Sequence, residues 1–327
     1  MSDYFLIAVS TRENLERCRA HRMAGFPGSL PGFWAFVDIQ VGDFVSFLYG
    51  ARVYDLYRVV EKVAGRGPDP ETESLPWTPL RFRSGRVYTF PFRLLLRRVR
   101  RLEEPIARAE FAYVAENLLL RGGYRKTHIQ ADALTLGYVS RMGEPVEADR
   151  NTWDLPPGWR PFAPRIHLEE RRSFQGTPEV WPFQELILQA LLRHKIKQEQ
   201  EPLRRMYDLP SDLALEVLGE KALPQGYVDI LIKPAQPQGR HFVIPVEVKA
   251  RKASLGDVEQ LRLYRRELGS ESLPGLLIAR AFPRSVKKAG DVYSVSYSLK
   301  VQGEPRALTL EEMLQALSLA WDQAVGS

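Results

Sequence analysis

The sequence predicts two folded parts of mixed class, a small mixed β-barrel of α+β type followed by an α/β core. Three observations carry that expectation. The stretch "GDFVSFLYGARVYDLYRVVEKV" reads as two strands meeting at Gly50 and Ala51, a hairpin pattern. From residue 178 onward the pattern runs helix, three strands, helix, strand, which is an α/β order. Between them, residues 143–177 collect prolines that argue against a continuous helix or a central strand and read as a linker. The expected organisation is therefore 1–142, a linker over 143–177, and 178–327. Trp153 and Trp159 imply that the linker packs down, since a disordered tether rarely keeps two tryptophans.

A chain of 327 residues with 44% hydrophobic and 26% charged content has the composition of an ordinary globular protein. No apolar run approaches the ~20 residues that cross a bilayer, and the N-terminus turns polar too soon for a signal peptide, so a cytoplasmic location is expected. Cys18 is the only cysteine, which excludes intramolecular disulfides and cysteine-based zinc sites. The five histidines show no paired spacing, which argues against a histidine metal cluster. A net charge of +6 suits an acidic partner such as nucleic acid.

The first part opens with a strand, "YFLIAV", and with Ser10 and Glu13 at capping-box spacing for a helix through about Arg22. After the hairpin comes a loop containing Pro68, Pro70, Pro76 and Pro79, then a strand in "GRVYTFPFRLLLRRV". From Arg81 to Arg101 there are eight arginines and no acid, with aromatics between them. Arginine forks match phosphate and aromatics stack on bases, so Arg93, Arg97, Arg98, Arg100 and Arg101 are candidate contacts to a DNA backbone; the bland alternative is a solvated strand.

The ordered landmarks "GFPGS", "VGDFVSFLYG", "LPW" and "YTFPFRLLL" resemble those of EVE and YTH-like domains of the PUA-like group, over roughly residues 4–140. The resemblance implies a domain that holds a modified or flipped base between aromatic walls. It places Trp77 at a pocket position, with Phe26 the nearest aromatic in the first pocket segment. Trp77 is read either as a base-stacking residue or as a loop anchor. Trp34 is a third candidate wall, with core packing as the competing role, and Phe26 falls between them.

In the second part, Thr177 and Pro178 read as N-cap and first residue of the helix "PEVWPFQELILQALLRHKIK", which contains Glu185. Strands "LALEVL", "GYVDILI" and "HFVIPVEVKA" follow, then a helix from Ser254 and a strand "GLLIA". Within "VEVK", Glu247 and Lys249 are two apart and share a face of a strand, while Asp229 can approach from the neighbouring strand. Two carboxylates suit a hard cation such as magnesium, with manganese as a substitute, and a lysine beside them can orient or deprotonate water. Surface ion pairs are the competing reading.

This pattern resembles the PD-(D/E)XK restriction-endonuclease-like superfamily over roughly residues 178–300, with Asp229, Glu247 and Lys249 as D, E and K. The resemblance adds Glu185 as an assisting acid, and Gln260 with Tyr264 as a "QxxxY" pair on one helical face. Valine rather than proline precedes Asp229, and Pro245 interrupts the strand that carries Glu247. Together the two resemblances imply a modification-dependent DNA endonuclease: magnesium held by Asp229 and Glu247, double-stranded DNA as substrate, and a homodimer for cutting both strands. The alternatives are a noncatalytic nucleic-acid-binding protein that retains the nuclease fold, and a nuclease for damaged or branched structures.

Overall fold

The computed structural model of the chain describes residues 2–50, 52–107, 127–147, 152–168, 178–223, 226–236, 239, 241–301 and 307–321. It is a mixed α+β protein with nine helices among the described residues, and it divides into two compact units, Met1–Pro182 and Phe183–Ser327.

In the first unit the central strands are β1 (Tyr4–Ala8), β2 (Met23–Phe26), β3 (Phe44–Tyr49), β4 (Arg52–Arg66), β5 (Phe92–Arg101) and β6 (His128–Ala131). Their order is β5-β4-β3-β1-β6, with β2 paired to β5, and the sheet curls into a half-barrel. β3 and β4 form the expected hairpin, Tyr49 pairing with Arg52 across Gly50, whose φ of 55° is the left-handed geometry glycine tolerates. Ala51 lies outside the described residues. The apolar alternation turns Tyr4, Leu6, Val53, Leu56, Leu102, Ile106, Ile129 and Val139 into one buried cluster.

Helix α1 (Arg12–His21) starts one residue later than its spacing suggested. Thr11, not Ser10, is the N-cap, and its hydroxyl accepts the Asn14 N–H at 3.1 Å. Arg22 then ends the helix in the left-handed conformation. Helices α2 (Leu30–Asp38), α3 (Pro70–Ser74) and α4 (Ala133–Val139) complete the unit. Parts of the 143–177 stretch take up sheet pairing: Glu144–Pro145 pairs with β5, and Arg160–Pro161 pairs with β4.

Val180–Pro182 is a short strand parallel to Arg165–His167, so the helix expected from Pro178 begins only at Glu185, as α5 (Glu185–Gln198). Pro182 explains the delay: it biases Trp181 to extended backbone and has no N–H to give inside a helix. Thr177 lies outside the described residues. α6 (Gln200–Met206) then leads to the second unit's sheet, made of β7 (Leu215–Leu223), β8 (Gly226–Pro234), β9 (Ile244–Lys252), β10 (Gly275–Ala281), β11 (Val292–Leu299) and β12 (Leu317–Ala320). These six are hydrogen-bonded in chain order. β7, β8 and β9 run antiparallel, while β9, β10 and β11 run parallel. Between β9 and β10 lies α7 (Leu255–Leu268), started by a capping box of Ser254 and Asp257. α8 (Arg284–Lys287) and α9 (Leu310–Ala316) follow. Pro245 sits inside β9 opposite Leu231 without ending the strand.

No helix among the described residues is long and apolar enough to cross a membrane.

Candidate active site

β8 and β9 keep antiparallel register from Ile232↔Ile244 to Ile230↔Val246, and there the ladder stops. The next residue on β8 is Asp229, and its side chain takes over from the main chain: Oδ2 accepts the Val248 N–H at 2.7 Å. The strands part where the acid enters. On β9, Glu247 and Lys249 share a face, and Lys249 Nζ lies 2.6 Å from Glu247 Oε1. From α5, Glu185 accepts Lys249 Nζ at 3.3 Å through Oε1 and the Ala250 N–H at 3.1 Å through Oε2. The four charged residues singled out in the sequence are thus brought to one place.

Their energetics depend on burial. The Glu247 side chain is 1% exposed and Lys249 12%, whereas Glu185 is 39% exposed and faces solvent. Burial pushes the Asp229 carboxyl well above the usual carboxylate range, and the charge of Glu247 pushes it further, against the opposing pull of the Val248 N–H and Lys249. Burial likewise raises Glu247, while Lys249 pulls it back. Burial pulls the Lys249 ammonium down, but the carboxylates of Glu247, Asp229 and Glu185 outweigh it and hold it above its ordinary value. Glu247 Oε2 is buried and has no hydrogen-bond partner.

That donor set suits a hard divalent cation. Two carboxylates whose ionisation is opposed by burial and by neighbouring acids would both be relieved by a positive ion, and Glu247 has an oxygen uncommitted. Magnesium keeps most of its water shell and needs only one or two carboxylates, which matches Asp229 and Glu247. Among the described residues no set of three or more histidine, cysteine, aspartate and glutamate side chains gathers at metal-binding distance, so a richer cage is absent there.

On α7, Gln260 donates to the Tyr264 hydroxyl at 2.6 Å, and that hydroxyl donates to the Tyr227 carbonyl at 2.9 Å. Tyr264 is buried and pins the start of β8. A Cβ on Gly226 would stand 3.0 Å from its oxygen, and Gly226 has a φ of 159°. One residue was not anticipated: Gln189, one turn beyond Glu185 on α5, donates to Asp229 Oδ1 at 2.7 Å. The i, i+4 spacing from Glu185 was the available signal.

The aromatics expected to wall a base pocket are corrected by their burial. Phe26 is 0% exposed, Trp77 3% and Trp34 7%. Trp77 lies flat on Gly25, where an added Cβ would meet the ring at 2.4 Å, and its Nε1 donates to Cys18 Sγ at 3.3 Å. Trp34 packs on His128 with centroids 4.4 Å apart. None presents a free face for stacking.

Two of the five candidate DNA-backbone arginines are likewise committed inside the first unit. Arg93 is fully buried between the rings of Trp77 and Trp159, 5.4 and 4.3 Å from their centroids, and donates to the Glu73 carbonyl at 2.6 Å. Burial lowers its guanidinium to about 10. Arg98 donates to the Arg19 carbonyl and lies 3.4 Å from the buried Asp55. Arg100 is half-buried and donates to the Gly143 carbonyl at 3.3 Å, leaving Arg97 and Arg101 as the exposed members. An open concavity of this unit lies elsewhere: a cleft of about 580 Å3 lined by Ser29, Arg66, Asp69, Glu73, Tyr88 and Trp181, among others.

The acid pair makes a pH prediction. The folded-state pKa values of Asp229 and Glu247 are raised, so their contribution to stability is intact below the ordinary carboxylate range and is lost as pH rises through the raised values. Lys249 shifts upward too, and its contribution persists across this window, fading only above the ordinary amine range. Metal-free protein should therefore lose stability through this pair as pH rises above the ordinary carboxylate range, and Asp229→Asn should flatten that loss. Thermal melts in chelator measure both slopes; equal slopes would refute the coupling.

No family model matches this chain, and no curated protein matches it in sequence.

Proposed function

We propose that the protein is a divalent-metal-dependent DNA endonuclease whose second unit hydrolyses phosphodiester bonds and whose first unit reads a modified base. The convergence of Asp229, Glu247 and Lys249 at the parting of β8 and β9 carries this reading. Asp229 and Glu247 would hold magnesium, which when bound supplies a Lewis acid for phosphoryl oxygen and lowers the pKa of its water. Lys249, kept protonated by three carboxylates, is suited to donate hydrogen bonds to a phosphate oxygen or to orient the attacking water, rather than to act as the base. Glu185 fixes Lys249 and the Ala250 N–H, which holds the β9 end of the site in place. Gln260 acts through Tyr264, which sets the start of the Asp229-bearing strand.

The base-reading surface is then the open cleft rather than the Trp77 region. Its half-buried Tyr88 offers aromatic surface, and exposed Arg86 gives positive charge at the rim. Exposed Arg97 and Arg101 remain the candidate phosphate contacts. One acid pair per chain cuts one strand at a time, so a double-strand break needs two copies, as in a C2 homodimer.

Digestion of matched DNA duplexes carrying methylated, hydroxymethylated or unmodified cytosine, or methylated adenine, with magnesium and with chelator, tests the proposal. Cleavage that requires the metal and prefers one modified duplex is the expected result. Binding without metal-dependent cleavage of any duplex would favour a noncatalytic nucleic-acid-binding protein. Cleavage of damaged or branched duplexes alone would favour a structure-specific nuclease.

A further inference from the structure

Gln189 lies within the buried stretch 187–192 of α5, one turn from Glu185, and is 7% exposed. Its Nε2 donates to Asp229 Oδ1 at 2.7 Å. Its Oε1 is buried and has no hydrogen-bond partner. Bonded to the same carbon as the donating nitrogen, that oxygen lies no further than one amide group from Asp229. A second oxygen in the cluster, Glu247 Oε2, is buried and unpartnered in the same way. Buried polar atoms are nearly always satisfied, so two orphan oxygens around one carboxylate point to an occupant that accepts lone pairs, a cation or its bound water.

Resting on the nuclease reading above, we propose that Gln189 is a positioning residue of the metal site, with two functions. Its N–H clamps Asp229, leaving that carboxylate with one oxygen on Gln189 and the other on the Val248 N–H, so that its plane is fixed. Its carbonyl oxygen completes the cation's shell, directly or through a coordinated water. A neutral amide is the right chemistry for this place. Asp229 is already opposed by burial and by the charges of Glu247 and Glu185, and without a cation another carboxylate would oppose it further. A leucine of similar size would fill the volume and satisfy the helix, but would supply neither the clamp nor the oxygen.

The test uses the full chain without DNA, so that turnover plays no part. Calcium is titrated calorimetrically into wild type, Gln189→Leu, Gln189→Glu and Asp229→Asn. Loss of a partner that orients a metal ligand typically weakens binding about 10–100-fold, which is the loss expected of Gln189→Leu. Gln189→Glu restores an oxygen, and with it calcium affinity at or above that of wild type. It also keeps the test alive if the leucine variant does not fold. With DNA present, Gln189→Leu should raise the magnesium concentration for half-maximal cleavage while the rate at saturating magnesium recovers; a packing defect would lower the rate at every concentration. If Asp229→Asn abolishes calcium binding while both Gln189 variants bind like wild type, the inference on Gln189 is overturned and the nuclease reading stands. If wild type binds no calcium, both fall together.

Discussion

Glu247→Gln is expected to abolish metal-dependent cleavage, by about 10²–10⁴-fold or more, while leaving the second unit's melting temperature close to that of wild type. The carboxylate is buried and one of its oxygens is unpartnered, so the amide replaces it without losing an established hydrogen bond from that oxygen, and Lys249 keeps Glu185 at 3.3 Å as counter-charge. Lys249→Met should be as inactive but much less stable at neutral pH. It removes the cation that pairs with Glu247, and stripping one partner from a buried pair costs about 3–5 kcal/mol. Combining Glu247→Gln with Lys249→Met should return most of that stability and none of the cleavage, because the unpaired buried charge is gone. Single-turnover cleavage and thermal melts of the three variants check the pattern. Full cleavage by Glu247→Gln would end the assignment of the site; a Lys249→Met protein as stable as wild type would show that the pair is solvated.

How much of this was legible in the sequence depended on whether a residue's partner is local. Glu247 and Lys249 are two apart on a strand, so period-2 geometry alone puts them on one face, and the apolar runs around them fix the strand. Asp229 required only that neighbouring strands pair. Ser254 and Asp257, three apart, are a capping box readable at sight. Gln189 was legible only through its i, i+4 spacing from Glu185, because its partner Asp229 is 40 residues away and a lone glutamine in a helix has no signature of its own. The arginine run misled for the same reason. Arg93 and Arg98 are neutralised or stacked by Asp55, Trp77 and Trp159, which come from elsewhere in the chain, and a charge run does not declare which of its members the fold consumes. The early start given to α5 failed differently. Pro178 suits a first helical turn, but Pro182 four residues later forbids that helix, and its constraint is the stronger of the two.

Trp77→Ala is expected to destabilise the first unit by about 3–5 kcal/mol, the range for removing a buried tryptophan, which lowers its melting temperature by roughly 6–20 °C. Four contacts go at once. The ring covers Gly25 on β2, lies 5.4 Å from the Arg93 guanidinium and 5.5 Å from Phe90, and donates to Cys18. Removing it also exposes a guanidinium that burial has already brought down to about 10, so the cavity is polar on one side and does not close over apolar atoms. Any weakening of DNA binding should then fall equally on modified and unmodified duplexes, since it comes from loss of fold. A stacking residue behaves differently: its removal costs about 1–3 kcal/mol of binding to the flipped base and little stability. Tyr88, half-buried in the open cleft with its hydroxyl held by Arg86 at 3.0 Å, is where that selective loss is expected. Melting curves beside affinities for the two duplexes at one salt concentration separate the cases. A Trp77→Ala protein that melts like wild type and loses only the modified duplex would return that tryptophan to the base pocket.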